Sequence, residues 1–162
     1  MQGFEQNYSK RFQTLVIMIG IQGSGKSTFC REMLSDEFVR INLDTLKTRY
    51  REQALLAESI AAGKSIVIDN TNPTRADRAR YIAAAKGNGY RVIGYFMQSI
   101  LQDCIARNER RKGKAKVPVI AIAATSNKLE MPSVREGFDE LYFVANDGKT
   151  MTVSEWRETN EL

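Results

Sequence analysis

The stretch Gly20-Ile-Gln-Gly-Ser-Gly-Lys-Ser27 decides the fold class of this chain. It fits the pattern G-x-x-x-x-G-K-[ST], with an uninterrupted apolar run at residues 15–19 before it and helical spacing from Lys26 after it. Glycines allow such a loop to wrap around phosphate groups, and the positive N-terminal end of the following helix adds to the attraction. The strand, loop and helix together predict the phosphate-binding loop of a P-loop NTPase.

Each residue type in this loop has a predicted task. Backbone N–H groups point at the phosphates, Lys26 reaches the β- and γ-phosphates, and the Ser27 hydroxyl binds Mg²⁺. We therefore expect a nucleoside triphosphate and Mg²⁺ as cofactors, with Lys26 as a catalytic residue. The predicted nucleotide-binding residues of the loop are Gly20, Gln22, Gly23, Ser24, Gly25, Lys26, Ser27 and Thr28.

Short apolar strands alternate with helical segments along the rest of the chain. Further strands are predicted at residues 38–42, 65–69, 90–97 and 141–144, with one helix over 45–62. This alternation is typical of βαβ units and a parallel sheet. We predict an α/β, P-loop NTPase fold: a mostly parallel five-stranded sheet flanked by helices, with a basic lid. Residues 1–13 are expected to form a polar tail and 14–162 one domain, in which the segment after Asn146-Asp-Gly148 adds a short strand.

Two aspartates, Asp44 and Asp69, each follow a predicted strand. Ligands of open parallel sheets gather at the carboxyl ends of the strands, so both carboxylates are expected beside the phosphate-binding loop. Asp69 is the predicted second Mg²⁺ ligand, with a cap of the turn before Pro73 as the alternative. Asp44 is the predicted general base for a substrate hydroxyl, with helix N-capping as the alternative.

The chain contains no histidine, which excludes Ser-His-Asp and Cys-His nucleophiles, His metal ligands and imidazole acid–base chemistry. Without histidine, a carboxylate is the first candidate for a general base, which favours Asp44. Cys30 and Cys104 form no CxxC pair and are expected to be reduced thiols. No apolar run reaches the roughly 18 residues that cross a membrane, so we expect a soluble, cytoplasmic protein.

The net charge of +5 is concentrated in one segment. Residues 107–116 hold six basic residues and one acid, whereas the rest of the chain holds 18 residues of each sign. Such a segment favours a mobile lid that brings arginines to the triphosphate and excludes water, with a solvated basic helix end as the alternative. Arg107 and Arg111 are four residues apart and are expected on one helix face. Arg78, in the helix after Asp69, is a further candidate for phosphate binding.

Four motifs carry a resemblance to a known family. Residues 20–28, Asn42-Leu-Asp-Thr-Leu46, Asp69-Asn-Thr-Asn-Pro73 and Arg107-Asn…Arg111…Val117-Pro118 resemble the polynucleotide 5′-hydroxyl kinase domain, a P-loop kinase with an adenylate-kinase-like core. The resemblance covers residues 14–145. It implies ATP-dependent phosphorylation of a 5′-OH end, with Lys26 and Ser27 at the phosphates and metal. It also implies Asp44 as the general base and Arg111, with Arg107, as lid arginines.

On the acceptor side, the resemblance implies a substrate-binding carboxylate that matches either Asp69 or Asn70. Some members of the family carry an arginine three residues after the base that grips the acceptor phosphate, and Lys47 has that position here. Together with Arg78, which its position in the helix after Asp69 suggests, the predicted substrate-binding residues are Asp44, Lys47, Asp69 and Asn70.

Three functions stay open at this point. The first is a kinase that transfers the γ-phosphate of ATP to the 5′-OH end of a polynucleotide, either DNA or RNA. The second is a kinase of a small molecule with a nucleoside, sugar or antibiotic hydroxyl. The third is a nucleotide-binding switch or partner-binding module that hydrolyses ATP slowly. An acceptor-side base such as Asp44 favours transfer over switching.

Overall fold

The computed structural model describes residues 13–158, and these form one six-stranded sheet and six α-helices. The strands are β1 (Thr14–Ile19), β2 (Val39–Ile41), β3 (Ile66–Ile68), β4 (Arg91–Met97), β5 (Glu140–Asn146) and β6 (Met151–Glu155). The helices are α1 (Lys26–Met33), α2 (Leu43–Leu46), α3 (Arg49–Ala61), α4 (Arg75–Gly87), α5 (Leu101–Glu109) and α6 (Val119–Lys128). Two 3₁₀ turns, Gly113–Ala115 and Val134–Glu136, flank α6.

The strands lie in the order β2-β3-β1-β4-β5-β6. The first five are parallel, and β6 runs antiparallel to β5. This confirms the predicted α/β fold with a mostly parallel sheet, and the short strand expected after Gly148 is the sixth strand, β6. Apart from Gln13, the predicted polar tail lies outside the described residues.

The central strand β1 is buried on both faces, as its apolar sequence predicts. Leu15, Ile17 and Ile19 pack on one face in a cluster that includes Tyr81 of α4. The alternating Val16 and Met18 pack on the other face with Phe29 of α1. A parallel sheet needs such cover on both faces because its strands are apolar on both sides.

The helix predicted over residues 45–62 is interrupted, which is a correction to the sequence analysis. Lys47 takes a φ of 76° after α2, and α3 begins at Arg49. Thr48 caps α3 by accepting a hydrogen bond from the Arg51 N–H at 3.2 Å, a role that threonine favours. The interruption leaves α2 as a separate short helix directly after β2.

The parallel strands bring the candidate functional segments to one edge of the sheet. The glycine-rich loop follows β1, α2 follows β2, and Asp69 follows β3. Because β3 lies between β2 and β1, Asp69 follows the strand that separates the loop from α2. Over residues 13–158, none of the helices combines the length and the apolar character that a membrane crossing requires.

Candidate functional site

The glycine-rich loop is shaped by two glycines with positive φ, Gly23 at 83° and Gly25 at 99°. A Cβ on Gly23 would lie 2.3 Å from the backbone oxygen of Cys104 in α5, so only glycine lets the loop pack there. Gly25 is the N-cap of α1 and supplies no side-chain hydrogen bond to the helix. The first N–H groups of α1 therefore have no side-chain cap, which is the arrangement that binds phosphate.

The Lys26 side chain is hydrogen-bonded to the backbone of the same loop. Its Nζ donates hydrogen bonds of 2.9 Å to the backbone oxygens of Gly20 and of Ile21. Loss of solvent around the amine lowers the Lys26 pKa to about 8, although the negative charge of Asp69 opposes the shift. The nearby positive charge of Arg111 lowers the same pKa further. The Lys26 amine is thus held by carbonyl oxygens of the loop, where it is close enough to be attracted by an anion that binds to the loop.

The structure brings together the two residues predicted to bind a metal. The Ser27 hydroxyl donates a 3.0 Å hydrogen bond to Asp69 Oδ2. The same oxygen accepts a 2.8 Å hydrogen bond from Nε of Arg40, a residue of β2. Asp69 is 1% exposed, and its side chain does not cap the turn before Pro73.

The oxygens of this pair fit Mg²⁺. Asp69 Oδ1 is buried and has no hydrogen-bond partner among the described residues, which leaves a carboxylate oxygen available. The described part of the chain contains no group of three or more His, Cys, Asp or Glu side chains that could hold a metal by itself. Mg²⁺ is commonly bound by one or two protein oxygens together with substrate phosphates and water, so a metal at Ser27 and Asp69 would depend on the nucleotide.

The structure assigns the N-cap of α2 to Asn42 and not to Asp44. Asn42 Oδ1 accepts a 3.1 Å hydrogen bond from the Thr45 N–H, and its Nδ2 donates to the backbone oxygen of Asp69 at 2.6 Å. Asn70 Oδ1 accepts from the Leu43 N–H at 2.9 Å. These bonds fix α2 against the end of β3. Asp44 is exposed and makes no hydrogen bond or ion pair with the described residues.

A buried carboxylate that the sequence analysis did not single out holds Asn70 in place. Glu52 of α3 is 1% exposed and accepts hydrogen bonds from Tyr81 Oη at 2.6 Å, from Asn70 Nδ2 at 3.0 Å and from Arg49 Nη1 at 3.0 Å. Burial, followed by this contact with Glu52, raises the pKa of Tyr81 to about 12. The network links α3 and α4 to the segment that positions α2, and therefore to Asp44.

Arg78 has a different role from the predicted contact with substrate. Its side chain is 0% exposed and pairs with Glu136 through a 2.9 Å hydrogen bond from Nε. Its Nη1 donates to the backbone oxygens of Asn72 and of Pro73 at 3.0 and 3.2 Å. The guanidinium is therefore used to hold the segment after β3 and presents no surface to a substrate. Lys47, in contrast, is exposed at the break between α2 and α3.

The two predicted lid arginines do not share a helix face. Arg107 lies in α5 and connects the phosphate-binding loop to the end of β5. It donates to the backbone oxygen of Gly23 at 3.0 Å and to that of Asn146 at 3.1 Å. The helix ends at Glu109, so Arg111 lies beyond it in an exposed loop. The buried Asn108 closes this loop through two hydrogen bonds with Val117, of 2.6 and 2.9 Å. The two ends of the basic segment are thus joined, and the segment forms a loop next to the phosphate-binding loop.

Other residues of the predicted set support the loop. Gln22 Nε2 donates to Thr125 Oγ1 of α6 at 3.1 Å, whereas Gln22 Oε1 and Ser24 Oγ are buried without partners among the described residues. Thr28 is partly buried in the first turn of α1. Ser99, which is not among the predicted site residues, accepts a hydrogen bond from the Ile21 N–H at 3.1 Å.

Both cysteines are buried and free, as expected for reduced thiols. Burial raises the pKa of Cys30 to about 12 and also raises the pKa of Cys104, so neither thiol is activated as a nucleophile.

Comparison with known proteins extends these observations. Residues 15–132 match the AAA domain family. A bifunctional polynucleotide phosphatase/kinase from Schizosaccharomyces pombe is 31% identical over 132 residues, which cover 78% of this chain and 32% of that protein. The chain spans about a third or less of the length of the curated relatives it matches.

Two solved structures share the fold at lower identity. A gluconokinase from Sinorhizobium meliloti has a TM-score of 0.57 at 18% identity, with 83% of each chain covered. Kti12 from Chaetomium thermophilum, solved in complex with ADP-AlF3, has a TM-score of 0.60 at 20% identity, with 82% of this chain and 89% of that chain covered. These structures establish the architecture and not the substrate. The family match over most of the chain and the phosphate-binding loop at the head of α1 lead to one conclusion: the chain belongs to the AAA domain family and has a P-loop kinase fold.

Proposed function

We propose that this protein transfers the γ-phosphate of ATP to the 5′-OH end of a polynucleotide, with Mg²⁺ as the metal. The observation that carries the proposal is the free carboxylate of Asp44 on the same sheet edge as the phosphate-binding loop, because Asn42 already caps α2. A slow nucleotide switch would not need a free carboxylate on the acceptor side.

The chain's own residues perform most of the proposed reaction. The N–H groups of the loop and of the start of α1 bind the triphosphate, and Lys26 turns from the loop carbonyls toward the β- and γ-phosphates. Ser27 and Asp69 would hold Mg²⁺, which would neutralise charge on the phosphate oxygens. Asp44 accepts the proton of the acceptor hydroxyl as that oxygen attacks the γ-phosphate.

The basic loop supplies the remaining positive charge. Arg107 fixes the shape of the phosphate-binding loop through Gly23, while the exposed Arg111 reaches the transferring group when the loop closes. The effect of Arg111 on the Lys26 pKa supports this, because it requires the two charges to be close.

Two features support a nucleic acid acceptor. The relative from Schizosaccharomyces pombe is named a polynucleotide phosphatase/kinase. In addition, the side chains of Arg49 and Arg80 are 48% and 38% exposed beside Asn70 and Tyr81, so the acceptor side offers guanidinium groups to backbone phosphates. The exposed Lys47 adds a further positive charge at the end of α2.

A transfer assay tests the acceptor. The protein is incubated with γ-labelled ATP, Mg²⁺ and separate pools of 5′-OH DNA, 5′-OH RNA and small hydroxyl compounds that include nucleosides and sugars. We expect label at an oligonucleotide 5′ end, and oligonucleotides that already carry a 5′-phosphate serve as the control. Label only on a small compound would replace the polynucleotide with a small-molecule acceptor, and ATP hydrolysis without any labelled acceptor would contradict transfer altogether.

The low pKa of Lys26 predicts how ATP binding depends on pH. The free protein releases the Lys26 proton near pH 8, whereas phosphate beside the amine favours the charged form and raises its pKa. ATP binding is therefore expected to take up protons above that pH, and affinity is expected to fall by up to about tenfold per pH unit until the pKa of the complex is reached.

Calorimetric titrations in two buffers with different ionisation enthalpies measure this proton uptake directly. Lys26→Arg, which keeps its charge over the same range, is the matched control and is expected to show no uptake. Equal affinity for the parent protein at pH 7 and pH 9.5 would contradict the prediction.

A further inference from the structure

The guanidinium of Arg40 lies on the two side chains proposed to bind the metal. Arg40 Nε donates to Asp69 Oδ2 at 2.8 Å, and Nη2 lies 2.8 Å from the same oxygen. Nη2 also donates to Ser27 Oγ at 3.2 Å, and Ser27 Oγ itself donates to Asp69 Oδ2 at 3.0 Å. One cationic group therefore contacts both side chains of the proposed metal site, through Ser27 Oγ and one of the two carboxylate oxygens of Asp69.

This arrangement opposes a bound divalent cation. Asp69 Oδ2 accepts hydrogen bonds from a guanidinium and a hydroxyl and has no free direction for a metal, which leaves only Oδ1 open. A metal on Oδ1 would lie within a few ångströms of the guanidinium, and the two positive charges would repel. The Ser27 hydroxyl donates its hydrogen to Asp69 and accepts from Arg40, so only one of its two lone pairs is left for a metal. A metal bound there would again lie within a few ångströms of the guanidinium.

Arg40 is the member of this group that can move. Its side chain is 44% exposed, whereas that of Asp69 is 1% exposed and is held at the end of β3. Arg40 is also the only residue of β2 that is exposed, between the partly buried Val39 and the buried Ile41. A swing of its side chain into solvent would uncover the oxygens without any change in the sheet.

We propose that Arg40 occupies the position of the divalent cation in the nucleotide-free protein and competes with the cation for Ser27 and Asp69. The metal then enters together with the nucleotide, because the phosphate oxygens supply the additional ligands needed to displace the guanidinium. Arg40 acts in this way as a positioning residue that keeps the buried Asp69 carboxylate paired until the cofactor arrives. The inference rests on the metal site of the proposed function.

Direct metal binding without nucleotide tests the competition. Mn²⁺ is titrated into the full chain, and free Mn²⁺ is counted by its electron paramagnetic resonance signal. We expect Arg40→Gln to bind Mn²⁺ about tenfold more tightly than the parent, since the metal no longer displaces a cation from a buried carboxylate. Arg91→Gln is the matched control, because Arg91 forms a partly exposed ion pair with Glu140 on another part of the sheet, and it is expected to leave Mn²⁺ affinity unchanged.

Two further measurements locate the gained site. Adding Asp69→Asn to Arg40→Gln is expected to remove the gained Mn²⁺ binding. Without metal, Arg40→Gln is expected to unfold at a lower temperature than the parent. Addition of Mn²⁺ is expected to raise the unfolding temperature of Arg40→Gln by more than that of the parent. If Arg40→Gln is too unstable to titrate, Arg40→Lys, which cannot contact both oxygens with a planar fork, is expected to give an intermediate gain.

Equal Mn²⁺ affinity in the parent and in Arg40→Gln would overturn the proposal and would leave Arg40 as an ordinary ion-pair partner of Asp69. A gain that survives Asp69→Asn would overturn it as well, because the metal would then bind elsewhere. The experiment contains no ATP, acceptor or turnover, so its failure would leave the proposed kinase activity standing, and a failed transfer assay would leave the competition at Asp69 standing.

Discussion

Asp44→Asn is expected to slow phosphoryl transfer by about 10²–10⁴-fold, the range for loss of a general base. Asparagine keeps the size of the side chain but cannot accept the proton of the acceptor hydroxyl. The change is expected to leave the fold intact, because Asp44 is exposed and Asn42 carries the hydrogen bond that caps α2. ATP affinity is expected to stay within about twofold of the parent, since the phosphate-binding loop is untouched.

Single-turnover transfer and ATP binding are measured side by side on the same preparation. Asp36→Asn is the matched control, because Asp36 is also exposed but lies before β2, away from the carboxyl edge of the sheet. A parental transfer rate in Asp44→Asn would show that Asp44 does not act as the base. A loss of ATP binding equal to the loss of transfer would instead place Asp44 in the nucleotide site.

The parts of this molecule that were predictable from sequence are those set by local pattern. The buried run of β1, the glycines of the loop and the helical spacing after Lys26 lie within about 20 consecutive residues, and each has a local physical cause. Parallel strands alone predicted that Ser27 and Asp69 lie at the same edge of the sheet. In the structure, Ser27 Oγ lies 3.0 Å from Asp69 Oδ2.

The residues that escaped prediction are those whose role depends on a distant partner. Arg78 is a basic residue near the start of a helix, and nothing nearby in the sequence shows that Glu136 covers it, 58 residues later. Glu52 is similar, because its neighbours in α3 do not reveal that Tyr81 and Asn70 surround it. Burial of a charged group is decided by tertiary contacts, so helical spacing alone assigns such residues to the surface.

Arg40 and Asn108 did leave signals in the sequence. A single arginine between the apolar residues Val39 and Ile41 interrupts a short strand, and a strand position of this kind faces the opposite side from its neighbours. Asn108 lies among basic residues at the helix end, where an amide can close a loop through backbone groups as it does with Val117. The α2–α3 break also had a local sign in Thr48, a favoured N-cap.

Lys26→Ala is expected to reduce transfer by at least about 10²–10³-fold, because it removes the positive charge that the loop directs at the γ-phosphate. Unlike Asp44→Asn, it is expected to weaken ATP binding as well. In the free protein the amine donates to the Gly20 and Ile21 backbone oxygens, so its removal also deletes two hydrogen bonds of the loop, although the Ile21 oxygen still accepts from the Ser24 N–H at 3.2 Å. Lys64→Ala is the matched control, since Lys64 is exposed just before β3, at the opposite edge of the sheet.

The two variants together separate nucleotide binding from chemistry. If the triphosphate lies in the loop and the acceptor lies beside α2, Lys26→Ala lowers both ATP affinity and transfer, whereas Asp44→Asn lowers transfer alone. Lys26→Arg keeps the positive charge on a bulkier head group. Compared with Lys26→Ala, it is expected to recover ATP binding more fully than transfer, because the guanidinium cannot take the position of the Lys26 amine. Parental ATP affinity and transfer in Lys26→Ala would mean that the triphosphate does not bind over this loop, and the assignment of every other residue of the site would then fail with it.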